Sequence, residues 1–377
     1  MTGSFVNEAL IGKKEGAREL ATPALVIDLP AFERNLQTMA EHCARAGLTL
    51  RPHAKTHKCA EIARRQIAAG AVGICCAKLG EAEVMAKAGI ENILLTSPVV
   101  LPRAVERLMA LNARIPDLHV VIDSEENART LEAAAEKAGR PLNVLVDLDI
   151  GLHRTGIAPE AAPALARFAD GAKHLRFKGL QAYGGHLMHI EEFAERREKS
   201  LAAMSVMKSV KDALEKQGIA CPIMTGGGTG TFDIDPEANV LTELQGGSYI
   251  FMDKQYNDVE GANGNVPFET ALYVQMSVIS NNTPRLATTD AGFKSFATDA
   301  EPPLLRSGAP EGASYFFFGD EQGGILLPKG ESLPLGAALT AVTPHCDPTV
   351  NLYDAYHVVE EGVLTAIWPI EARGRSA

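Results

Sequence analysis

Long uninterrupted apolar runs are missing from this 377-residue chain, and so are basic blocks, CxxC pairs, internal repeats and low-complexity tracts. Met1 to Leu20 mix Glu8, Lys13, Lys14 and Glu15 with small residues, which excludes a signal-peptide core. No later stretch is apolar enough to span a bilayer as a helix. Basic residues number 36 against 47 acidic ones, for a net charge of -11, and no patch interleaves them with aromatics. Nucleic acid is therefore not an expected partner. The six cysteines (Cys43, Cys59, Cys75, Cys76, Cys221, Cys346) are scattered. With no secretion signal they read as reduced, mostly buried thiols, and the expected location is the cytoplasm.

What is present is material for a full-sized core: 46% of the residues are hydrophobic. From about residue 22 to 252, short β-branched runs alternate with Ala-rich amphipathic stretches. Strands are expected at 48–54, 71–76, 92–97, 118–123, 142–149, 176–183, 221–224 and 241–249. Helices are expected over 31–46, 60–69, 82–89, 128–138 and 192–217, the last as a surface helix of an outer ring. Eight strand–helix units predict a closed parallel (β/α)₈ barrel, with an open doubly wound sheet as the alternative. After Asp253 the runs shorten and Gly, Pro, Asn and Asp separate them, the pattern of a small, mostly antiparallel β domain. The expected division is a 22–255 barrel and a β domain from 1–21 and 266–377, with 256–266 as linker. The run ALVID at 24–28 fits pairing with the β domain.

Four stretches carry groups suited to chemistry. In Arg51-Pro52-His53-Ala54-Lys55, strand alternation puts Arg51, His53 and Lys55 on one face. At the carboxyl-terminal rim of a barrel such a trio opens into an active site, and the lysine is placed to bond an aldehyde cofactor; the alternative is a solvated loop. Thr225-Gly226-Gly227-Gly228-Thr229-Gly230 and Gly246-Gly247-Ser248 follow the seventh and eighth strands, where barrels hold phosphate; either is otherwise a tight turn. His345 and Asp347 point the same way in extended chain and make half of a metal site, suited to Mn²⁺ or Mg²⁺, with water and substrate oxygens completing it. His186 or His189, just past the sixth strand, is a candidate base against a purely structural reading.

Together these stretches resemble the D-threonine aldolase, 3-hydroxy-D-aspartate aldolase and eukaryotic-type D-serine dehydratase family of alanine-racemase-like pyridoxal-phosphate enzymes. RPHAKTHK (51–58), GICC (73–76), HRTG (153–156), LQAYGG (180–185), TGGGTG (225–230), ELQGGSY (243–249), DAGFKS (290–295) and HCDPT (345–349) carry the resemblance in family order. It implies the barrel with its β domain, a homodimer, and Lys55 as the lysine bonded to pyridoxal 5'-phosphate. It also implies a phosphate site of Gly227, Gly228, Thr229, Gly247 and Ser248. Arg154 falls near the cofactor's ring oxygen, and Tyr183 with Gln245 near its pyridine nitrogen. His345 and Asp347 match the His-x-Asp of aldolases, whereas the dehydratases carry His-x-Cys with zinc. Four positions depart from the pattern: Gln322 replaces a histidine in Asp320-Glu321-Gln322-Gly323, Ala77 replaces a glutamine, and Gly185 and His186 differ from the aldolases. The expected activity is metal-assisted cleavage of a D-3-hydroxy amino acid to glycine and an aldehyde, with His189 taking the hydroxyl proton. The rival expectations are a D-serine or D-3-hydroxyaspartate dehydratase, a racemase, and a non-catalytic carrier of the same cofactor.

Overall fold

The structure, a computed structural model, describes residues 5–377. The first strand, β1 (Ala24–Asp28), precedes the barrel. Eight strands follow: β2 (Thr49–Leu50), β3 (Ile74–Cys76), β4 (Asn92–Leu95), β5 (Asp117–Ile122), β6 (Leu142–Leu148), β7 (Leu175–Ala182), β8 (Ile223–Gly226) and β9 (Glu243–Leu244). All run parallel in the spatial order β2-β9-β8-β7-β6-β5-β4-β3. A parallel bridge from His53 to Cys75 joins the two ends, so the sheet closes and is not the open doubly wound form. Each strand lies in or overlaps a run read from the sequence.

Seven helices cover the outside: α1 (Leu29–Ala46), α2 (Ala60–Ala68), α3 (Leu79–Lys87), α4 (Pro102–Asn112), α5 (Glu125–Ala138), α6 (Ala162–Gly171) and α7 (Phe193–Glu215). Local chemistry sets their ends. Asp28 and Ser124 accept hydrogen bonds from Ala31 N and Asn127 N at the starts of α1 and α5. Gly47 and Gly139, both at φ +68, close those helices in the left-handed region. One glycine inside a strand is obligatory: at Gly179, φ +136, a Cβ would lie 1.9 Å from Ile223 O, and the β6–β7 register shifts beside it.

The barrel interior is layered. Across its amino-terminal floor, Arg51 donates to Glu243 through Nε (2.8 Å) and Nη2 (2.7 Å), and to Asn92 Oδ1 through Nη1 (2.6 Å). Cys75, Leu94, Val121 and Leu145 form a dry middle layer. His53, Thr96, Asp147, Gln181 and Gln245 form a hydrogen-bonded polar layer under the mouth. The expectation that Arg51 shares the rim with Lys55 is thus corrected. Residues on one strand face advance about 6.6 Å per pair, so the trio spans different layers. Replacing Glu243 with Leu should strip the buried Arg51 of its partner and cost about 3–5 kcal/mol of stability. Denaturant titration checks this; an unchanged midpoint would show that the floor pair is not what holds the barrel's base.

The second sheet has nine strands. They are β1 with β12 (Leu272–Thr283), β13 (Leu286–Thr289), β14 (Leu304–Ser307), β15 (Ser314–Phe317), β16 (Gly323–Leu326), β17 (Ala338–Val342), β18 (Ala355–Glu360) and β19 (Val363–Pro369). Every pairing is antiparallel except β1 with β18. The boundary drawn at 22 therefore cuts through this sheet: β1 hydrogen-bonds to β12 and β18, as ALVID alone suggested. Residues 5–21 join it too, through Gly12 N to Leu364 O and Ala17 N to Gly362 O; positions 1–4 of the expected segment lie outside the described residues. The expected linker is a short hairpin, β10 (Glu260–Gly261) and β11 (Gly264–Asn265), tied to the barrel by Glu260 N to Glu191 O at 3.0 Å. Phe32 of α1 packs edge-on to Trp368 of β19, with ring centroids 5.8 Å apart, so one apolar core runs through both parts. All six cysteines are free and buried, and no described helix is long and apolar enough to cross a membrane.

Candidate active site

A cavity of about 260 Å³ opens at the carboxyl-terminal mouth of the barrel. Of the residues singled out from the sequence, Lys55, Arg154, Tyr183, Gly228, Thr229, Gln245, Gly247 and Ser248 all line it. They come from the ends of five strands, and strand ends are what a closed parallel barrel converges on one point.

The β8 and β9 loops form a cradle. The buried backbone N–H groups of Gly228, Thr229, Gly247 and Ser248 have no hydrogen-bond partner among the described residues. A Cβ at Gly228 would stand 2.6 Å from Met188 Sδ, and one at Gly247 2.7 Å from Thr56 Oγ1, so only glycine leaves both loops where they are. Tyr249 N donates to Thr229 Oγ1 at 3.0 Å and ties one loop to the other. Convergent unpaired amides in a dry concavity are a receptor for an anion such as phosphate. Gly227 does not line the cavity. At φ +68 it turns the chain, its missing Cβ facing Asp235 Oδ2 and Leu244.

Lys55 reaches the cavity from the loop after β2 and pairs with Asp347. Burial acts to lower the Lys55 pKa, but Asp347 and then Tyr183 outweigh it and the amine is raised. For Asp347 burial acts upward, and Lys55 and His345 outweigh it, holding the carboxyl far below its usual range. The HCD stretch is set by the turn from β17 into a short helix, α8 (Cys346–Val350). Buried Asp253 accepts from Cys346 N at 2.8 Å and Tyr256 N at 3.0 Å, locking the stretch to the cavity wall. His345 Nδ1 meets Asp299 Oδ2 at 2.7 Å. No cluster of three or more His, Cys, Asp or Glu forms a metal cage among the described residues.

His189 lies outside the main cavity, bordering an adjoining one with Pro344, its ring 4.5 Å from that of Tyr256. The ring reaches solvent on one side but is crowded on the other. Desolvation, then His345 and Lys55, push its pKa down to about 4, so the imidazole is neutral at pH 7 and free to accept a proton. His186 touches Gly151 instead, and Gln322 lies on the exposed turn before β16. Ala77 lines the cavity.

Several site residues were not singled out beforehand. Gln181 stands two positions before Tyr183 on the same strand face, a signal that was there to read. Gln245 Nε2 donates to Gln181 Oε1 (3.2 Å), and Gln181 Nε2 to Asp147 Oδ1 (2.9 Å). Burial lifts Asp147 to about 6 against these hydrogen bonds. Arg196, expected on a surface helix, is fully buried. It donates to Gly230 O (2.7 Å), Ile190 O (2.5 Å), Glu191 O (3.0 Å) and Glu260 O, clamping the phosphate-type loop to the segment beside His189. Nothing local in the sequence marks Arg196 or Asp299.

A lysine amine, an anion cradle and polar groups between them, on a closed barrel with a β domain, define a pyridoxal-phosphate enzyme of the alanine racemase fold. Residues 27–255 match the model for the alanine racemase N-terminal domain, and 271–359 match the putative serine dehydratase domain. The chain is 42% identical to a D-threonine aldolase of Arthrobacter sp over 94% of this chain and 93% of that one. It is 37% identical to a 3-hydroxy-D-aspartate aldolase of Paracoccus denitrificans over 97% and 95%. The crystal structure of D-threonine aldolase from Filomicrobium marinum superposes with a TM-score of 0.91 at 39% identity, covering 96% of this chain and 97% of that one. The chain belongs to this aldolase family, whose members are carbon–carbon lyases.

Proposed function

We propose that the chain cleaves D-3-hydroxy amino acids of the D-threonine type to glycine and an aldehyde, using pyridoxal phosphate and a divalent cation. The observation that supports this reading is the ion pair between Lys55, which lines the mouth cavity, and Asp347 of the HCD stretch. Gly228, Thr229, Gly247 and Ser248 hold the phosphate, with Gly227 shaping the turn, and Lys55 holds the aldehyde carbon. Arg154, whose guanidinium lies 5.4 Å from the Tyr183 ring centroid, faces the ring oxygen. Tyr183 and Gln245, which line the same cavity, would hold the ring nitrogen's side of the cofactor. When bound, the cofactor supplies an electron sink for the α-carbon.

His345 and Asp347 offer one nitrogen and one oxygen, a donor set that fits Mn²⁺ or Mg²⁺ with open positions left for water and substrate. Such a cation supplies Lewis acidity toward the substrate's 3-hydroxyl. His189, neutral at the cavity edge, takes that hydroxyl's proton directly or through water. Asp347 in place of cysteine at the motif's third position favours cleavage over the dehydratase reaction. A homodimer and a cytoplasmic location, supported by the family resemblance and six unoxidised thiols, belong to the same reading.

The test is product analysis on D-threonine and 3-hydroxy-D-aspartate, with Mn²⁺ and with chelator. Metal-dependent glycine, with acetaldehyde or glyoxylate, is the expected result. Keto acid with ammonia would move the chain to the dehydratases, and no turnover at all would leave a carrier.

A further inference from the structure

Four basic side chains line the mouth cavity: Lys55, His53, Arg154 and Lys78. Lys55 is paired with Asp347. His53 accepts or donates one hydrogen bond to Thr96 (3.1 Å), and burial with the nearby Lys55 keeps it neutral. Arg154 rests over the Tyr183 ring. Lys78 alone has no role in the chemistry above and no ion pair among the described residues.

The fold leaves it so for a visible reason. The carboxylate nearest to it in sequence, Glu81, is turned away: one oxygen pairs with buried Lys58, the other accepts from Ala77 N (2.8 Å) and Lys78 N (3.2 Å). Glu81 thereby pins the backbone of Lys78 at the start of α3 while its ammonium stays unpartnered. On the neighbouring strand end, Ser97 also lines the cavity, half-buried, with no partner for its hydroxyl among the described residues. β3 and β4 pair in register, Cys76 against Leu95, which brings the two loops side by side. Between them Ala77 contributes only a methyl group, leaving room at the wall.

Position around the barrel then decides what these groups face. β2, which leads to Lys55, has β9 and the anion cradle on one side and β3 with Lys78 on the other. A substrate α-carbon held at Lys55 therefore has the cofactor's phosphate end toward β8 and β9, and Lys78 with Ser97 on the opposite flank. In the proposed reaction the amino group goes to the cofactor and the 3-hydroxyl to His345, Asp347 and His189. One charged group of every such substrate, the α-carboxylate, has no side-chain partner in that reading beyond an open position on the cation, and one cationic side chain of the cavity, Lys78, has no ion pair among the described residues. We infer that the Lys78 ammonium and the Ser97 hydroxyl form the receptor for the substrate α-carboxylate. The inference rests on the reading of this cavity as an amino-acid site. A lysine suits the task because its point charge, on a side chain exposed at the cavity wall, reaches a carboxylate on a flexible stem.

The experiment compares the holoenzyme with Lys78→Met, Lys78→Gln, Lys78→Arg and Ser97→Ala. Losing a charge-assisted hydrogen bond should raise KM by about 10- to 100-fold in both neutral variants, with a much smaller change in kcat. Arg should recover most of the loss, and Ser97→Ala should raise KM by roughly 3- to 10-fold. The cofactor's bound absorbance should be unaltered in all four, because none of these groups touches the cradle. D-threonine and 3-hydroxy-D-aspartate should lose equally, since both carry the α-carboxylate. A loss confined to 3-hydroxy-D-aspartate would assign Lys78 to a second carboxylate and overturn the inference, as would unchanged KM in both neutral variants.

A binding measurement separates this inference from the reaction itself. D-alanine has the carboxylate and amine but no 3-hydroxyl, and its binding is read from the cofactor's spectrum. If the wild type binds D-alanine yet cleaves nothing, and Lys78→Met weakens that binding, the carboxylate receptor stands while the aldolase reading falls. If the wild type cleaves D-threonine and Lys78→Met binds D-alanine as tightly as wild type, the receptor falls alone.

Discussion

Lys55→Ala should be purified without the absorbance band of covalently held cofactor and should release no measurable glycine. Lys55 is the only lysine of the cavity beside the metal motif, and no other described amine takes its place against Asp347. The anion cradle is untouched by the change, so the variant should still take up the phosphate end of the cofactor reversibly, seen as free-aldehyde absorbance that dialysis removes. In the proposed reading the lost amine holds the aldehyde carbon, and a small primary amine in solution should restore part of the turnover. Asp347 loses its partner, but its side chain is not fully buried, so the variant is expected to fold. A variant that kept the linked band and its activity would remove Lys55 from the site.

The second large effect is expected at Asp347. Asp347→Ala takes away the oxygen of the two-donor metal motif and the counterion of Lys55 in one change. Glycine release with saturating Mn²⁺ should fall by roughly 10³-fold, the several kcal/mol that a Lewis acid contributes to developing charge. The linked cofactor band should persist, because neither the cradle nor Lys55 has changed. This split distinguishes loss of the metal motif from loss of the cofactor site. His345→Ala should behave in the same direction. If Asp347→Ala were still activated by Mn²⁺ with the half-saturation of the wild type, the cation would have to bind elsewhere.

Much of this was legible in the chain. The longer barrel strands are apolar runs largely buried on both faces, such as LNVLVDL in β6, and burial on both sides writes itself into composition. The cradle was legible because close approach of backbone to a phosphate demands glycine, and that demand is local. The same logic explains the failures. Arg51 and Lys55 share a strand face, but periodicity carries no information on depth, and Arg51 lies on the barrel floor. The helix at 192–217 shows basic and apolar residues alternating, yet Arg196 turns inward because four backbone carbonyls from three separate segments are waiting there. His189 was read as a base just past a strand end, but it borders an adjoining cavity beside Tyr256 and does not line the main one.

The sequence by itself determined the fold class, and it singled out Lys55 and the glycine loops that the structure brings to one cavity, because strand periodicity and the need for a missing Cβ act within a few residues. Only the tertiary structure decided what meets at Lys55. Asp347 arrives from 292 positions away along the chain, carried by a second sheet whose docking on α1 is a matter of packed aromatic faces. It also decided that Lys78 is left free, since Glu81 is satisfied by Lys58 and two amides. Charges pair through space, and the competition among partners is settled only once the barrel has closed.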